Sequence, residues 1–238
     1  MTVQYLSEGM LRVTSRTFRL RSYNLSAGAL YSGQVIPSGP VAQVWSASIE
    51  IVSKKGGDWQ YVDGIIAGLR GMRQMFRAWD PARTDWLYNA TATLSSEDFD
   101  DDTEFDDGTA FSSGKLPPSV NVGEARTKGS RDLLLSGFPA SITAAGNVGD
   151  LFELRPNGTP AEFGHLYILT RVANTNADGE ARVVFEPGLR ADIAAGDMCV
   201  IRKATSVFRL VSDDEGEMTV GLASIGETGL QMVEVLPR

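Results

Sequence analysis

The sequence predicts a mainly β protein of sandwich or barrel architecture. Apolar residues recur with period two in many short segments, and Gly, Asn and Asp separate these segments. Only one stretch carries helical spacing. The 238 residues fit one large all-β domain or two smaller ones, and a composition with 42% hydrophobic and 22% charged residues is that of a globular chain.

The clearest strand is 44–51, where Trp45, Ala47, Ile49 and Ile51 point one way and Val44, Ser46, Ser48 and Glu50 the other. Segments of the same kind are read at 11–20, 86–94, 166–172, 181–185, 198–201, 207–211, 218–222 and 230–236. Asn157-Gly158 and Asp178-Gly179 supply the positive φ of tight hairpins. The helix starts at Asp58, a suitable N-cap, runs through Val62, Ile65, Ile66 and Leu69, and ends near Gly71. Gly64, Gly68 and Gly71 mark one of its faces, read as tight packing on its own sheet or close approach to a partner backbone. Residues 72–79 then leave as a strand and stop at Asp80-Pro81. From about 95 to 130 the sequence turns polar, Gly- and Pro-containing and acidic, which reads as a long loop or linker ahead of a compact β segment at 131–203.

Charge is unevenly placed. The formal net charge is −8, and eight acids crowd between Glu97 and Asp107. Setting these eight aside leaves 22 of the 30 acidic residues against 22 Lys and Arg, so the rest of the chain is neutral. A general nucleic-acid binder needs net basic surface, so that role is disfavoured, and no specific nucleic acid is expected as a partner. No apolar run approaches the ~20 residues of a membrane span, and the N-terminus lacks the basic patch and apolar core of a secretory signal.

Catalytic and metal motifs are sparse. The sequence has no G-x-S-x-G elbow, no Walker loop and no G-x-G-x-x-G after a strand. His165 opens a strand-like run and reads as a strand-end or interface residue, not a base. The single cysteine, Cys199, excludes an internal disulfide and, flanked by Met198, Val200 and Ile201, reads as a small buried hydrophobe. In an extended chain Asp98, Asp100, Asp102 and Glu104 would line one edge, as calcium ligands do, but Thr103 and Thr109 stand where a calcium loop places Gly and Glu. The run therefore has three readings: a solvated loop, a contact with a basic partner surface, or a metal site. Phe99, Phe105 and Phe111 could pin it to a neighbour or to its own domain. No cofactor is expected.

Two regions together resemble a family. One is Val44-Trp45-Ser46-Ala47-Ser48-Ile49, followed by the helix into Leu69-Arg70-Gly71 and Phe76, then Asp80-Pro81. The other runs from Val148-Gly149-Asp150-Leu151-Phe152 through Leu166 to Val172, then Asp178-Gly179-Glu180-Ala181-Arg182-Val183-Val184-Phe185-Glu186-Pro187-Gly188-Leu189-Arg190, and closes on Val207-Phe208-Arg209-Leu210. This order resembles the distal tail proteins, and related minor tail or tail-tip proteins, of long-tailed non-contractile bacteriophages. The resemblance implies a β-sandwich ring-forming domain with one short helix at 1–94 and 205–238, and an OB-like small barrel inserted at 131–204. Residues 95–130 become the acidic, Pro-rich linker, which lies outside the shared pattern.

The function implied is structural, with no catalytic residue carried over. Such proteins form a ring, usually a hexamer, in the virion at the tail tip, where it joins the tail tube protein to the tail-tip or baseplate hub protein. Trp45, Phe76 and Trp79 are the interface candidates, each weighed against a place in the subunit's own core. An acidic loop near a ring lumen would keep DNA sliding by like-charge repulsion. A second reading is a module that binds host-surface carbohydrate or an adsorption protein, with Trp86, Tyr88 and Tyr167 as the available aromatics. A third is a tail glycan hydrolase, for which no carboxylate pair stands out.

Overall fold

The structure, a computed structural model, describes residues 4–5, 13–29, 35–53, 58–88, 116–156, 164–217, 219–220 and 226–236. It is mainly β, with two sheets, one of them closed as a barrel, and one α-helix among the described residues. The chain divides into two compact units: Met1–Pro81 with Ser206–Arg238, and Ala82–Thr205. The second is thus inserted into the first.

The first unit holds strands β1 (Gln4–Tyr5), β2 (Val13–Ala29), β3 (Val35–Ser53) and β4 (Phe76–Trp79), helix α1 (Asp58–Leu69), and the returning strands β11 (Thr205–Leu210), β12 (Thr219–Val220) and β13 (Gly226–Glu234). They form one seven-stranded sheet in the order β1-β4-β11-β13-β3-β2, with β12 pairing on β13. The period-two alternation fixes which face is buried. Trp45, Ala47, Ile49 and Ile51 of β3 face the core with Phe208 and Leu210 of β11 and Leu230 and Met232 of β13. The sheet curls strongly about this face. Phe18, on edge strand β2, stands edge-on to Phe208 of β11 with ring centroids 5.5 Å apart. Arg16 of the same edge strand forms an ion pair with Asp80, just beyond β4. Strands far apart in the sheet order therefore pack face to face, which is the sandwich arrangement expected.

Helix α1 ends at Leu69 because the next two residues are left-handed: Arg70 has φ 51° and Gly71 φ 62°. A Cβ on Gly71 would come within 2.2 Å of Asp213 Oδ1, and Asp213 accepts the Met72 N–H at 2.8 Å. Gly71 thus serves a close approach within its own unit, whereas Gly64 and Gly68 face solvent. Residues 71–73 form a 3-10 turn, so the strand expected over 72–79 is confined to Phe76–Trp79.

The second unit is a barrel of β5 (Ser119–Val122), β6 (Asp132–Ser136), β7 (Leu151–Arg155), β8 (His165–Leu169), β9 (Glu180–Glu186) and β10 (Met198–Val200), closed in the order β10-β5-β6-β9-β8-β7. Side chains fill its interior. Phe152, Tyr167 and Phe185 pack on one another with centroids 5.2 to 5.5 Å apart, among Leu133, Leu135, Leu154, Val183 and Cys199.

Three boundaries differ from those expected. Ser119–Val122 is a barrel strand and Arg126 bridges Ile193, so the end of the expected linker belongs to the barrel. Its polar residues alternate with buried Val120 and Val122, a pattern too short to stand out in a turn-rich stretch. Trp86 belongs to the barrel core and not to a strand of the sandwich. Its indole stacks on Phe138 and its Nε1–H donates to the Leu151 carbonyl at 2.8 Å. The chain becomes helical at Leu87–Tyr88, where Asp85 and Asp150 accept the N–H groups of Trp86 and Leu87. The Asp178-Gly179 turn is real, with Gly179 at φ 71°, yet it lies in a connection from 170 to 179 and not in a two-residue hairpin. There a Cβ would meet the Phe138 carbonyl oxygen at 2.1 Å. Asn157-Gly158 lies outside the described residues.

These boundaries are testable. A fragment of residues 82–205 is expected to unfold in one cooperative urea transition. A fragment of 131–204, lacking Trp86, Leu116 and β5, is expected to show none. Cooperative unfolding of the shorter fragment would show that the barrel closes without them.

Candidate assembly surface

Among the described residues, β2 is a long edge strand of the sheet. It is 17 residues long and, among the described residues, pairs on one side only, with β3. An edge of this length leaves alternate N–H and C=O groups open to a further strand. Moreover, β3 pairs with β13 only over Ser46–Ser53. Among the described residues, 23–29 of β2 and 35–42 of β3 pair only with each other, so a two-stranded arm continues past the described sheet for roughly 25 Å. Irregularities in register fall within this arm, between Tyr23 and Asn24, Asn24 and Leu25, and Ser26 and Ala29. The opposite edge is β1, a two-residue strand parallel to β4.

The interface candidates separate on burial. Trp45 is 1% exposed and Phe76 0%, so both belong to the subunit's own core and neither can be reached by another folded chain. Trp45 packs against Phe18 with centroids 6.0 Å apart, and its alternation with Ala47 and Ile49 was the signal for this inward position. Trp79 alone of the three keeps partial exposure. Its Nε1 is buried without a hydrogen-bond partner among the described residues. Asp98, Asp100, Asp102 and Glu104 lie outside the described residues. Among those described, no three His, Cys, Asp or Glu side chains are grouped as a metal site.

The barrel buries the other candidates. Trp86 and Tyr167 are core residues, and the Tyr167 hydroxyl accepts the Arg190 N–H at 3.0 Å. His165 is buried at the start of β8, opposite Leu154. Cys199 is fully buried, and desolvation followed by the negative charge of Glu153 pushes its thiol well above the ordinary range. Such a thiol is a packing group and not a nucleophile.

Sequence reasoning did not single out four carboxylates that prove structural. Glu234 accepts the Trp45 N–H at 3.2 Å and the Ser206 hydroxyl at 2.9 Å. Asp80 holds Arg16. Glu153 accepts from Arg155 Nη2 at 2.9 Å, and from the Thr205 N–H and hydroxyl at 3.1 and 2.8 Å. Asp150 accepts the N–H groups of Leu87 at 3.0 Å and Asn147 at 2.8 Å. The available signal was an acid at a position whose strand parity points into the core, as for Glu234 beside Met232 and Leu230. No family model matches the chain, and no curated protein matches it.

Two outcomes follow from these groups. Iodoacetamide is expected to label Cys199 only after unfolding, and labelling of the native chain at the rate of a free thiol would place it at the surface. Desolvation raises the Asp150 carboxyl above its ordinary value, against the lowering effect of its two backbone hydrogen bonds. The folded chain therefore holds this proton to higher pH than the unfolded chain does. Stability from this group is full below the unfolded pKa and falls as pH rises through the folded one. Over about pH 3 to 7, urea unfolding of Asp150→Asn should lack this component of the decline seen in the native chain. Parallel profiles would show that Asp150 does not contribute.

Proposed function

We propose that the chain is a structural, non-catalytic virion protein: a subunit of a ring, expected to be hexameric, at the distal end of a bacteriophage tail. There it joins the tail tube protein to the tail-tip or baseplate hub protein. The observation that carries this reading is the open β2 edge, extended by an arm that pairs with no third strand among the described residues. An isolated two-stranded ribbon is marginally stable in water, so an arm of this length is suited to packing against another body. β-Augmentation would supply main-chain hydrogen bonds across subunits. The inserted barrel agrees with the two-module organisation implied by the family resemblance of the sequence.

The unlike edges of the sheet add support. A ring needs a heterologous interface, in which two different surfaces of each subunit meet. Here one edge is the long β2 and the other the short β1. The carbohydrate-binding reading is the weaker one, because two of its three aromatics, Trp86 and Tyr167, are buried in the barrel.

Antibody against the chain is expected to place gold at the distal end of the tail of the source phage. Gold along the whole tail would make the chain a tube subunit, and no labelling of intact or disrupted particles would overturn the virion assignment. For the arm, residues 24–41 can be replaced by an Asn-Gly turn, because Tyr23 and Ala42 are directly paired across the ladder. The shortened chain is expected to sediment as a monomer and to keep its melting temperature within a few degrees. Unchanged assembly would remove the arm from the interface.

A further inference from the structure

Among the described residues of the barrel unit, four large apolar side chains are exposed: Leu87 at 49%, Val148 at 62%, Val172 at 52% and Met198 at 42%. The first three surround one turn. Asn147–Asp150 closes as the Asp150 N–H donates to the Asn147 carbonyl at 3.1 Å, with Gly149 at φ 98° as third residue and Val148 at the tip. Leu87 is held beside it, because its N–H donates to Asp150 Oδ1 at 3.0 Å. The β7–β8 ladder and the Gly146–Ala173 bridge share one register, in which Val172 falls opposite Asn147 and Arg171 opposite Val148. The acids beside the turn are engaged: Asp150 by the N–H groups of Leu87 and Asn147, Asp85 by the Trp86 N–H and Arg202 Nε. The cations are not balanced in this way. Arg171 is exposed and makes no hydrogen bond or ion pair with a described residue, and Arg83 Nη1 donates to the Gly149 carbonyl at 3.2 Å. The surface is also preformed. Ser141 and Ala144 take left-handed backbone, φ 57° and 54°, which costs energy in residues other than glycine. The Asn176 carbonyl and Asn174 Oδ1 hold them by their N–H groups at 2.9 and 2.8 Å, and Asn147 Nδ2 donates to the Ala144 carbonyl at 3.3 Å.

We infer that this turn is the docking site for an extended segment of another protein, one in which apolar side chains flank a carboxylate. Exposed apolar groups gathered at one place mark an interaction surface, and arginine is a favoured residue of such surfaces. Charge complementarity selects the rest. The unengaged charge at the turn is the Arg171 guanidinium, so a basic segment would be repelled, and a wholly polar one would leave the three apolar side chains in water. Spacing agrees as well. Side chains opposite or diagonal across a ladder lie about 5–8 Å apart, as Val148, Arg171 and Val172 do by register. In an extended segment, side chains on one side recur about every 7 Å. Two apolar groups of the segment can thus rest on the valines while the carboxylate between them meets Arg171. Because the turn is already fixed, little freedom is lost on binding. The site lies wholly in the barrel unit and does not depend on the ring.

The test titrates the full chain against a fluorescein-labelled peptide built of Leu-Ser-Glu-Ser repeats, whose leucines and glutamates fall on one side when it is extended. Saturable binding is expected by anisotropy. Replacing the peptide's glutamates by lysine, or its leucines by serine, should weaken binding about tenfold, as should Val148→Ser with Val172→Ser in the protein. Arg171→Gln should weaken it about fivefold, and Arg171→Lys should retain it. Met198→Ser is expected to leave it unchanged, because Met198 is paired with Arg155 at the far end of β7. The substituted side chains are exposed, so each variant should keep the native melting temperature. Absence of saturable binding would overturn the inference, and so would equal binding of the lysine peptide or affinity unchanged by the paired valine variant. Two other occupants are distinguished in the same series. Displacement of the peptide by phosphatidylglycerol vesicles that bind the native chain but not Arg171→Gln would make the turn a membrane surface. Self-association of the native chain that Val148→Ser with Val172→Ser abolishes would make it a contact between copies. Either result would overturn docking of a foreign segment.

Discussion

Strands β4 and β11 lie side by side in one sheet, although the whole barrel is threaded between Trp79 and Thr205. The first unit can form only if the insertion returns the chain to where it left. Closing a long flexible loop costs entropy that grows slowly with its length, and an insertion that clasps its own ends removes most of that cost. The barrel does so. The Lys203 N–H donates to the Thr84 carbonyl at 2.6 Å, and Arg202 Nε donates to Asp85 Oδ2 at 3.1 Å. The Pro118 carbonyl receives the N–H groups of Ile201 and Arg202 at 3.0 and 3.2 Å. Glu153 then holds Thr205, the first residue of β11, through both its N–H and its hydroxyl.

The buried carboxylates obey a common logic. An ionised acid taken from water is tolerated only where its oxygens are met by donors. Glu153 has Arg155 and Thr205, Asp80 has Arg16, and Glu234 has Ser206 and the Trp45 N–H. Each stands at or next to the end of a strand or pins one. Asp80 follows β4, and its arginine comes from the far edge strand, so this pair helps to hold the sheet in its curled form. Glu234 ends β13 and ties it to the start of β11 and to β3. Apolar side chains of similar size would fill these places without specifying which strand end belongs where.

The strand vocabulary was legible because alternation is a local property. Trp45, Ala47, Ile49 and Ile51 declare their face within one segment, and Gly71 marks the helix end within one turn. What could not be read depended on distant partners. Trp86 sits in an alternating stretch that suits a strand of either unit, and only its contacts with Phe138 and Leu151 assign it to the barrel. The strand Ser119–Val122 offers two buried valines in a Gly- and Pro-rich setting, and its identity depends on pairing with β6 and β10. The same limit applied to the assembly surface. Aromatic content pointed to Trp45 and Phe76, which the core claimed. The arm is visible only when the length of the β2–β3 ladder is compared with that of the β3–β13 ladder.

That comparison also bears on how copies could meet. The simplest use of an open edge is pairing of β2 with β2 about a two-fold axis, which satisfies both edges in a closed dimer. Such pairing needs a regular edge, and β2 departs from regular register between Val13 and Ser15 and at three places from Tyr23 to Ala29. It would also bring Arg19 and Arg21 of one copy alongside the same residues of the other, since both lie on the regular part of the strand. Like charges opposed across strands are destabilising, and charged, bulged edges are a usual means of preventing self-pairing. These features weigh against the symmetric dimer and favour a partner surface unlike β2. A head-to-tail contact of that kind closes into a ring when the rotation per subunit divides a full turn, and otherwise runs on as a filament.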